Sequence, residues 1–348
     1  MTILRKLFIS FFPLFLFASN ISLKTEINLY SDSLYFDVFD NEWNSIPSTK
    51  SINRAINYSY AEVAYNVDNN VSFGYKYNSF ANIKINKGFI ETWYYADSDF
   101  NTLLKRSDIY VNITEPNIYG LLNYCVTDGV FIRKNFKNLK ITLNLYRGKN
   151  LEYLKVNGNN TNERFVADLK YYYSSRNFVT HKYEDDDYYE GYGGGVDIEY
   201  ENKFKNIKYK VGLYNILGFL KWKSVTYLEY HFDSDTKYIG DDGYYHYKPF
   251  GVGKYYTNVS FYQRLPKFLK YSVSYKKNIE IGDNGLYSTG ARYDELYAIY
   301  KHIKLGYVPQ TKNAIFGLIF RNFRMEASSD IKKHSKLIKL NLEIKFKI

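Results

Sequence analysis

Ser335-Lys-Leu-Ile-Lys-Leu-Asn-Leu-Glu-Ile-Lys-Phe-Lys-Ile348 is the stretch that decides the fold. From residue 338 onward apolar and polar side chains alternate without a break, and the apolar ones are Ile338, Leu340, Leu342, Ile344, Phe346 and Ile348. Because successive side chains of a β-strand point to opposite faces, the pattern predicts a strand with one apolar and one charged face. It is longer than the roughly five or six residues usual in soluble sheets and matches the roughly nine to eleven that cross a membrane. The edge of a soluble sheet would carry the same alternation, so the rest of the chain decides.

The amino terminus has the three parts of a secretory signal peptide. Arg5 and Lys6 precede the apolar run Leu7–Phe17, and the small residues Ala18 and Ser19 follow it. This run is too short for a comfortable membrane-spanning helix, so an uncleaved anchor helix is the weaker alternative. We predict that residues 1–22 form a signal peptide and that the chain is exported.

Composition favours a β-rich protein in contact with a membrane. The chain contains 40 tyrosines and 25 phenylalanines but only 6 prolines, and Cys125 has no second cysteine with which to pair. Aromatic residues favour strands, and tyrosine suits the boundary between bilayer and water. The formal net charge is +11. Since the lysines are spread along the chain rather than grouped, we expect no nucleic-acid partner, and a positively charged lumen that favours anions is the more specific hypothesis.

The body of the chain reads as strands joined by two kinds of connection. Tight connections are predicted at Phe136–Lys140 and Phe204–Lys208. Long polar connections are predicted at residues 174–194, 233–250 and 277–288. Short turns at one end and long loops at the other are typical of outer-membrane barrels.

The strand count follows from this alternation only in part. Phe89–Tyr95 is a candidate strand, and in a count back from the C-terminus Thr289–Val308 is taken as one long strand. Residues 205–206 then fall at the long-loop end, which indicates a miscounted strand. The pattern fits 12 to 16 strands, and we predict 14. Residues 57–348 form the barrel, while residues 23–56 provide its first strand or a segment inside the lumen.

With these features the sequence resembles a Gram-negative outer-membrane β-barrel, although no single family is identified. The terminal strand Ile338–Ile348 resembles the insertion signal that the barrel assembly machinery reads, but such signals usually end in an aromatic residue, whereas Phe346 lies two residues before the end. The segment Gly212–Trp222 is also similar to a strand–turn–strand unit of barrels of the fatty-acid-transporter type. The resemblance implies one transmembrane antiparallel barrel, with membrane lipid and the assembly machinery as partners. A secreted β-sandwich or solenoid is the rival fold.

Motifs for chemistry are missing from the sequence. The five histidines form no metal-binding pattern, and no Gly-x-Ser-x-Gly elbow occurs. Two groups of loop residues are candidate sites: His231 with Asp233, Asp235, Asp241 and Asp242 for a protease, and Glu184–Asp187 with Glu190 for calcium. We interpret both as solvated loop acids. The sequence predicts no enzyme, no cofactor and no metal.

The predicted function is a porin-like channel for small solutes with a weak anion preference. Lys208, Lys210, Lys270 and Lys276 alternate with apolar residues and are the expected lumen-lining residues. The loop at residues 174–194 is the candidate for an inward constriction. The alternative is a barrel that acts through its surface loops, as an adhesin or structural protein, and a barrel enzyme is the least favoured hypothesis.

Overall fold

The computed structural model describes residues 20–34, 50–68, 70–98, 114–160, 164–174, 191–233, 235, 237–247, 251–328 and 335–347. In these residues one helix, α1 (Lys87–Ser98), accompanies the strands β1 (Asn20–Ser31), β2 (Ile52–Asn66), β3 (Val71–Asn86), β4 (Asn117–Phe136), β5 (Leu139–Asn160), β6 (Phe165–Tyr173), β7 (Gly191–Phe204), β8 (Ile207–Tyr214), β9 (Phe219–Asp233), β10 (Lys237–Ile239), β11 (Tyr245–Tyr247), β12 (Gly251–Arg264), β13 (Phe268–Lys276), β14 (Glu280–Ser288), β15 (Ala291–Tyr300), β16 (Ile303–Val308), β17 (Asn313–Ile319), β18 (Phe323–Ser328) and β19 (Leu337–Lys347).

The antiparallel sheet closes into a ring because β1 pairs with β19 on one edge and with β2 on the other. Hydrogen-bonded neighbours then follow in the order β1, β2, β3, β4, β5, β7, β8, β13, β14, β15, β16, β17, β18 and β19. Closure leaves no unpaired edge along this path, which a lipid environment requires. The prediction of one antiparallel β-barrel of about 14 strands is confirmed.

Three long strands that are not part of the ring extend the wall beyond its loop end. The strands β6, β9 and β12 lie above β7, β8 and β13: β6 pairs with the upper part of β5, β9 pairs with β6, and β12 pairs with β9. The wall is therefore uneven in height. It includes 20 and 22 residues in β4 and β5, but only 6 or 7 in β16, β17 and β18. We call the part formed by upper β4, upper β5, β6, β9 and β12 the raised wall.

At one end of the ring, which also carries the start of β1 and the end of β19, every connection is short. At most four residues separate the strands there, in the pairs β2–β3, β4–β5, β7–β8, β13–β14, β15–β16 and β17–β18. The single strand predicted at Thr289–Val308 is wrong: β15 and β16 form a hairpin with a turn at Lys301 and His302. Residues 280–288 are strand β14 rather than part of a loop. With these corrections residues 205–206 lie at the short-turn end, which removes the conflict in the alternation.

Helix α1 replaces the strand predicted at Phe89–Tyr95. The side-chain oxygen of Asn86 accepts a hydrogen bond of 2.9 Å from the Phe89 N–H, which satisfies a donor at the start of the helix. The Phe89 ring covers Gly120, where any side chain would collide with it. Ile90 is fully buried with Leu34 and partly buried neighbours. The helix therefore forms because the outer surface of the wall covers its apolar side.

Apolar side chains cover the outer surface of the ring. Exposed examples occur on strand after strand: Ile132, Leu143, Val211, Val273, Ile281, Leu296, Leu305, Phe316, Leu318 and Phe346. A soluble protein rarely exposes so continuous an apolar band, whereas a membrane barrel requires one. Among the described helical residues, none belongs to a helix long and apolar enough to span a bilayer.

Both ends of the chain contribute to the wall. Strand β19 places Leu340, Leu342 and Ile344 on the outer side and Lys339 on the inner side; Ile348 lies outside the described residues. Strand β1 begins at Asn20, within the last residues of the segment assigned to the signal peptide, and continues into the segment 23–56. Residues 35–49 of that segment lie outside the described part of the chain.

Candidate functional site in the barrel interior

The two predicted lumen lysines of β8 lie on the inner face of the wall, each beside a carboxylate. The Lys208 ammonium is 2.9 Å from the Glu201 carboxylate. Lys210 forms an ion pair with Glu199, which also contacts Lys140 at 2.5 Å. The charges of both lysines are therefore locally compensated.

The two predicted lysines of β13 are also ion-paired, and one of them spans the interior. Lys270 donates a hydrogen bond to Glu26 on β1, and these two strands lie seven steps apart in a ring of fourteen. Glu26 accepts a second hydrogen bond of 2.9 Å from the Tyr60 hydroxyl. Lys276 lies nearer the short turns, 3.8 Å from Glu280. Opposite walls are thus close enough for side-chain contact, which means that the ring is flattened.

A second interior cluster, which sequence reasoning missed, joins residues of β15, β16, β18 and β19. Lys304 is completely buried, with its ammonium 2.7 Å from Glu295 and 3.1 Å from Glu326. Lys339 donates a hydrogen bond to Glu295, and Arg324 donates one of 2.7 Å to Glu326. The sequence indicates only that these charged residues alternate with apolar ones and so face inward. Which of them form pairs depends on which strands become neighbours.

Further ion pairs complete this level of the interior. The Arg133 guanidinium donates two hydrogen bonds of 2.8 Å to the Glu62 carboxylate in a bidentate ion pair. The Lys76 ammonium lies 3.9 Å from the Asp197 carboxylate. We define the charged layer as the inward-facing residues Glu26, Glu62, Lys76, Arg133, Lys140, Asp197, Glu199, Glu201, Lys208, Lys210, Lys270, Glu295, Lys304, Arg324, Glu326 and Lys339. This layer lies toward the short-turn end of the ring.

An aromatic layer lies on the loop side of the charged layer. The Tyr58 ring is 4.8 Å from Phe268 and 5.2 Å from Tyr214, between strands on opposite sides of the ring. Phe80 adds a contact of 6.1 Å with Phe268. The buried Trp222 indole N–H donates a hydrogen bond of 3.0 Å to a glutamine oxygen on β12. These rings, together with Tyr146 and Tyr293, form one buried cluster that fills the interior at this level.

The turn between β14 and β15 reaches across the mouth of the ring. The Asn82 amide donates a hydrogen bond to the Thr289 hydroxyl, although these residues belong to opposite sides. Gly290 has φ +89°, and a side chain at this position would lie 2.8 Å from the Arg54 guanidinium. Below the turn, the Tyr293 hydroxyl donates a hydrogen bond of 2.7 Å to Asn28. The low side of the wall therefore leans over the lumen.

The acids and histidine considered as a protease site do not converge. His231 lies 2.8 Å from Asp168, whereas Asp242 lies 2.8 Å from His246 in the β10–β11 hairpin. Asp233 accepts two hydrogen bonds from an arginine guanidinium, at 2.9 and 2.8 Å. In the hairpin, the contact with His246 and the backbone N–H of Tyr244 lower the pKa of Asp242. His231, Asp233 and Asp242 are thus each held by a different partner.

The calcium hypothesis concerns residues that the structure does not describe. Glu184–Asp187 and Glu190, like most of the loop at 174–194, lie outside the described residues. Within the part of the chain that is described, no three histidine, cysteine, aspartate or glutamate side chains lie close enough to hold a metal ion.

Comparison with known proteins finds solved structures that resemble this chain only with low TM-scores and low sequence identities. No protein-family model matches the chain, and no curated protein matches it. A TodX monoaromatic hydrocarbon channel with a deltaS2S3 mutation is 10% identical, with a TM-score of 0.40, over 95% of this chain and 91% of that chain. The Ralstonia pickettii toluene transporter TbuX is 6% identical, with a TM-score of 0.29, over 94% and 88%. The Escherichia coli outer-membrane protease OmpT is 9% identical, with a TM-score of 0.22, over 94% and 95%.

At TM-scores below 0.5 these similarities carry no inference about this chain. The strand register closes this chain into a barrel, and its outer surface is apolar. The chain is therefore a membrane-type antiparallel β-barrel.

Proposed function

We propose that this chain is an outer-membrane channel for small solutes, held closed in the present structure by its own inward-facing side chains. The charged layer carries the proposal. Buried ion pairs contribute little stability, and well-packed apolar residues of similar volume stabilise a protein as well or better. Ionisable side chains inside a membrane protein are costly and usually mark a pathway for a solute or ion.

The proposed location is the Gram-negative outer membrane. A signal peptide ahead of β1, within the predicted segment 1–22, would direct export, and the outward residues of β19 would serve as the insertion signal for the barrel assembly machinery. The continuous apolar outer surface supports this proposal, because it suits lipid and not water.

Selectivity in this proposal is weak. Lys208, Lys210 and Lys270 each have a carboxylate partner within the lumen, so they do not form an uncompensated positive ring. Rings of charge with one sign are the usual basis of strong ion selectivity. We therefore expect at most a slight anion preference from the overall positive charge.

The test removes the aromatic layer at the point where opposite walls meet. Phe268→Ala, alone and with Tyr58→Ala, deletes the contact at 4.8 Å and opens space in the middle of the ring. The wild-type barrel in a planar bilayer should show rare openings, and the variants should show steps of longer duration and higher conductance. Phe316→Ala is the matched control, because this phenylalanine is 57% exposed on the outer surface.

Folding is verified separately by the shift in gel mobility that folded barrels show on heating. Folded variants whose conductance equals that of Phe316→Ala would contradict the proposal. In that case the alternative is a barrel that acts through its surface, and the raised wall with the exposed β10–β11 tyrosines favours it. The proposal assigns no reaction to the chain, since His231, Asp233 and Asp242 are each paired with a different residue.

A further inference from the structure

A row of tyrosines crosses the raised wall on the face that continues into the lumen. In the strand register Tyr153 on β5 pairs with Tyr172 on β6, Tyr172 with Tyr227 on β9, and Tyr227 with Tyr256 on β12. We call these four residues the tyrosine row. Tyr153 and Tyr172 also pack against the buried cluster of the interior, which fixes the side of the wall on which the row lies.

The rings of the tyrosine row form a continuous aromatic surface, in which the inner rings cover each other's faces and Tyr256 ends the row. Tyr172 and Tyr227 stack at 4.4 Å with an angle of 23° between their planes, and Tyr227 and Tyr256 stack at 5.8 Å and 18°. Phe261 backs the row, stacked on Tyr172 at 4.2 Å. The row ends at Tyr256, which is 44% exposed. The surface is therefore rigid at one end and open to solvent at the other.

Polar side chains of both signs border the row on the same face. Lys170 on β6 and Glu229 on β9 lie two residues beyond the tyrosines of their strands, and their charged atoms are 3.4 Å apart. Asp168 and His231 lie two residues further along the same strands and are 2.8 Å apart. All four are well exposed, with 40 to 64% of each side chain accessible. The register also places Lys155 and Lys254 beside the first pair. Hydrogen-bond donors and acceptors thus alternate next to the aromatic surface.

The combination specifies a class of ligand. An aromatic hydrocarbon would use the rings but would strip water from the bordering charges without replacing it. A nucleotide or other anion would favour an excess of cations, whereas carboxylates interrupt the lysines here. A neutral sugar offers apolar C–H faces to stack on the exposed ring of Tyr256, and hydroxyl groups that both donate and accept hydrogen bonds beside it.

We propose that the tyrosine row is a binding site for neutral saccharides at the mouth of the barrel. This inference rests on the proposed function only for the passage of a bound sugar through the barrel, since that sugar would next meet the aromatic layer of the closed channel. Binding itself is a property of the raised wall and is measurable without conduction.

The probe is maltohexaose, titrated calorimetrically into the refolded barrel in lauryldimethylamine oxide, a detergent without a sugar headgroup. We expect saturable binding with a Kd of about 1 mM or tighter. The double variant Tyr227→Ala and Tyr256→Ala should weaken binding roughly tenfold or more. Tyr227→Phe with Tyr256→Phe keeps the rings and should retain binding within about threefold.

Tyr262→Ala is the matched control. This tyrosine lies on β12 like Tyr256, is 56% exposed and stacks on Phe219 at 5.5 Å, but its register with Lys221 places it on the outer face. Its replacement should leave binding unchanged. If the double alanine variant fails to fold, Tyr256→Ala alone tests the exposed end of the row.

Three results would overturn the inference: no binding of maltohexaose to the wild-type barrel, equal weakening by Tyr262→Ala, or preferential binding of toluene or adenosine monophosphate in parallel titrations. Conductance steps without sugar binding would remove the saccharide site and leave the channel proposal standing. Sugar binding that depends on the row, without any conductance in the Phe268→Ala barrel, would remove the channel proposal and leave the saccharide site standing.

Discussion

Substitution of Glu326 tests whether the buried positive and negative charges of the charged layer stabilise one another. Around it, two carboxylates, Glu295 and Glu326, face three cations, Lys304, Lys339 and Arg324. Glu326→Gln would leave all three cations with one carboxylate, in a place where the Glu326 side chain is 1% exposed and Lys304 is fully buried. Removing one partner of a buried ion pair costs about 3–5 kcal/mol, because the other charge remains unpaired. We expect the free energy of unfolding to fall by that amount.

A second substitution should recover part of the loss. Lys304→Met added to Glu326→Gln restores the original excess of one cation, since Lys339 and Arg324 then face Glu295. Lys304 contacts both carboxylates, at 2.7 and 3.1 Å, so the two substitutions are coupled. Side chains in one ion-pair network typically show interaction energies of about 0.5–3 kcal/mol. The double variant should therefore be more stable than Glu326→Gln by at least about 1 kcal/mol.

The assay is urea unfolding of the barrel in lipid vesicles, followed by tryptophan fluorescence. Glu280→Gln is the control, because Glu280 pairs with a lysine that is 69% exposed, at 3.8 Å, and such exposed pairs contribute about 0–1 kcal/mol. A Glu326→Gln barrel as stable as the control would refute the reasoning. Strict additivity of the two substitutions would also refute it.

Three further predictions concern other parts of the barrel. Leu342→Lys places a charge on the outer face of β19 and should lower the stability measured by urea unfolding by about 2–4 kcal/mol; a loss near zero would mean that this face does not contact lipid. Lys210→Gln leaves Glu199 with fewer cations and should shift the reversal potential of the Phe268→Ala channel toward cation preference, whereas a shift toward anions would contradict the pairing. Asn82→Cys with Thr289→Cys should form a disulfide on oxidation and reduce wild-type openings, and unchanged openings would exclude this contact from closure.

The alternation of apolar and polar residues was sufficient to predict strands, closure and about fourteen ring strands, because burial of one face fixes the register of each strand. It failed at Tyr300–Ile303, where the chain turns without glycine, proline, asparagine or aspartate. There Lys301 adopts φ 53°, a left-handed conformation that lysine seldom takes. No turn signal in the sequence marks this position, so the pattern predicts one strand where the structure has two.

Long-range contacts explain the other differences. The sequence indicated that Lys270 faces inward, but its partner Glu26 lies 244 positions away on the opposite wall, and nothing local to either residue encodes that meeting. Likewise, the segment Phe89–Tyr95 reads as a strand by its apolar content. Capping by Asn86 and the surface available around Gly120 decide in favour of a helix.

The order of the two interior layers bears on how a solute would pass. A hydrophobic constriction blocks water and ions without any steric seal, and it reopens when the walls separate by a small distance. In this barrel the aromatic layer occupies that position on the loop side, and the charged layer behind it lines the remaining path to the short-turn end. Separation of Tyr58 from Phe268 would wet the aromatic layer first, and water would then solvate Lys270 and Glu26, which lowers the cost of parting them. The aromatic contact therefore controls the charged one, which is why Phe268 rather than any lysine is the residue whose removal should open the channel.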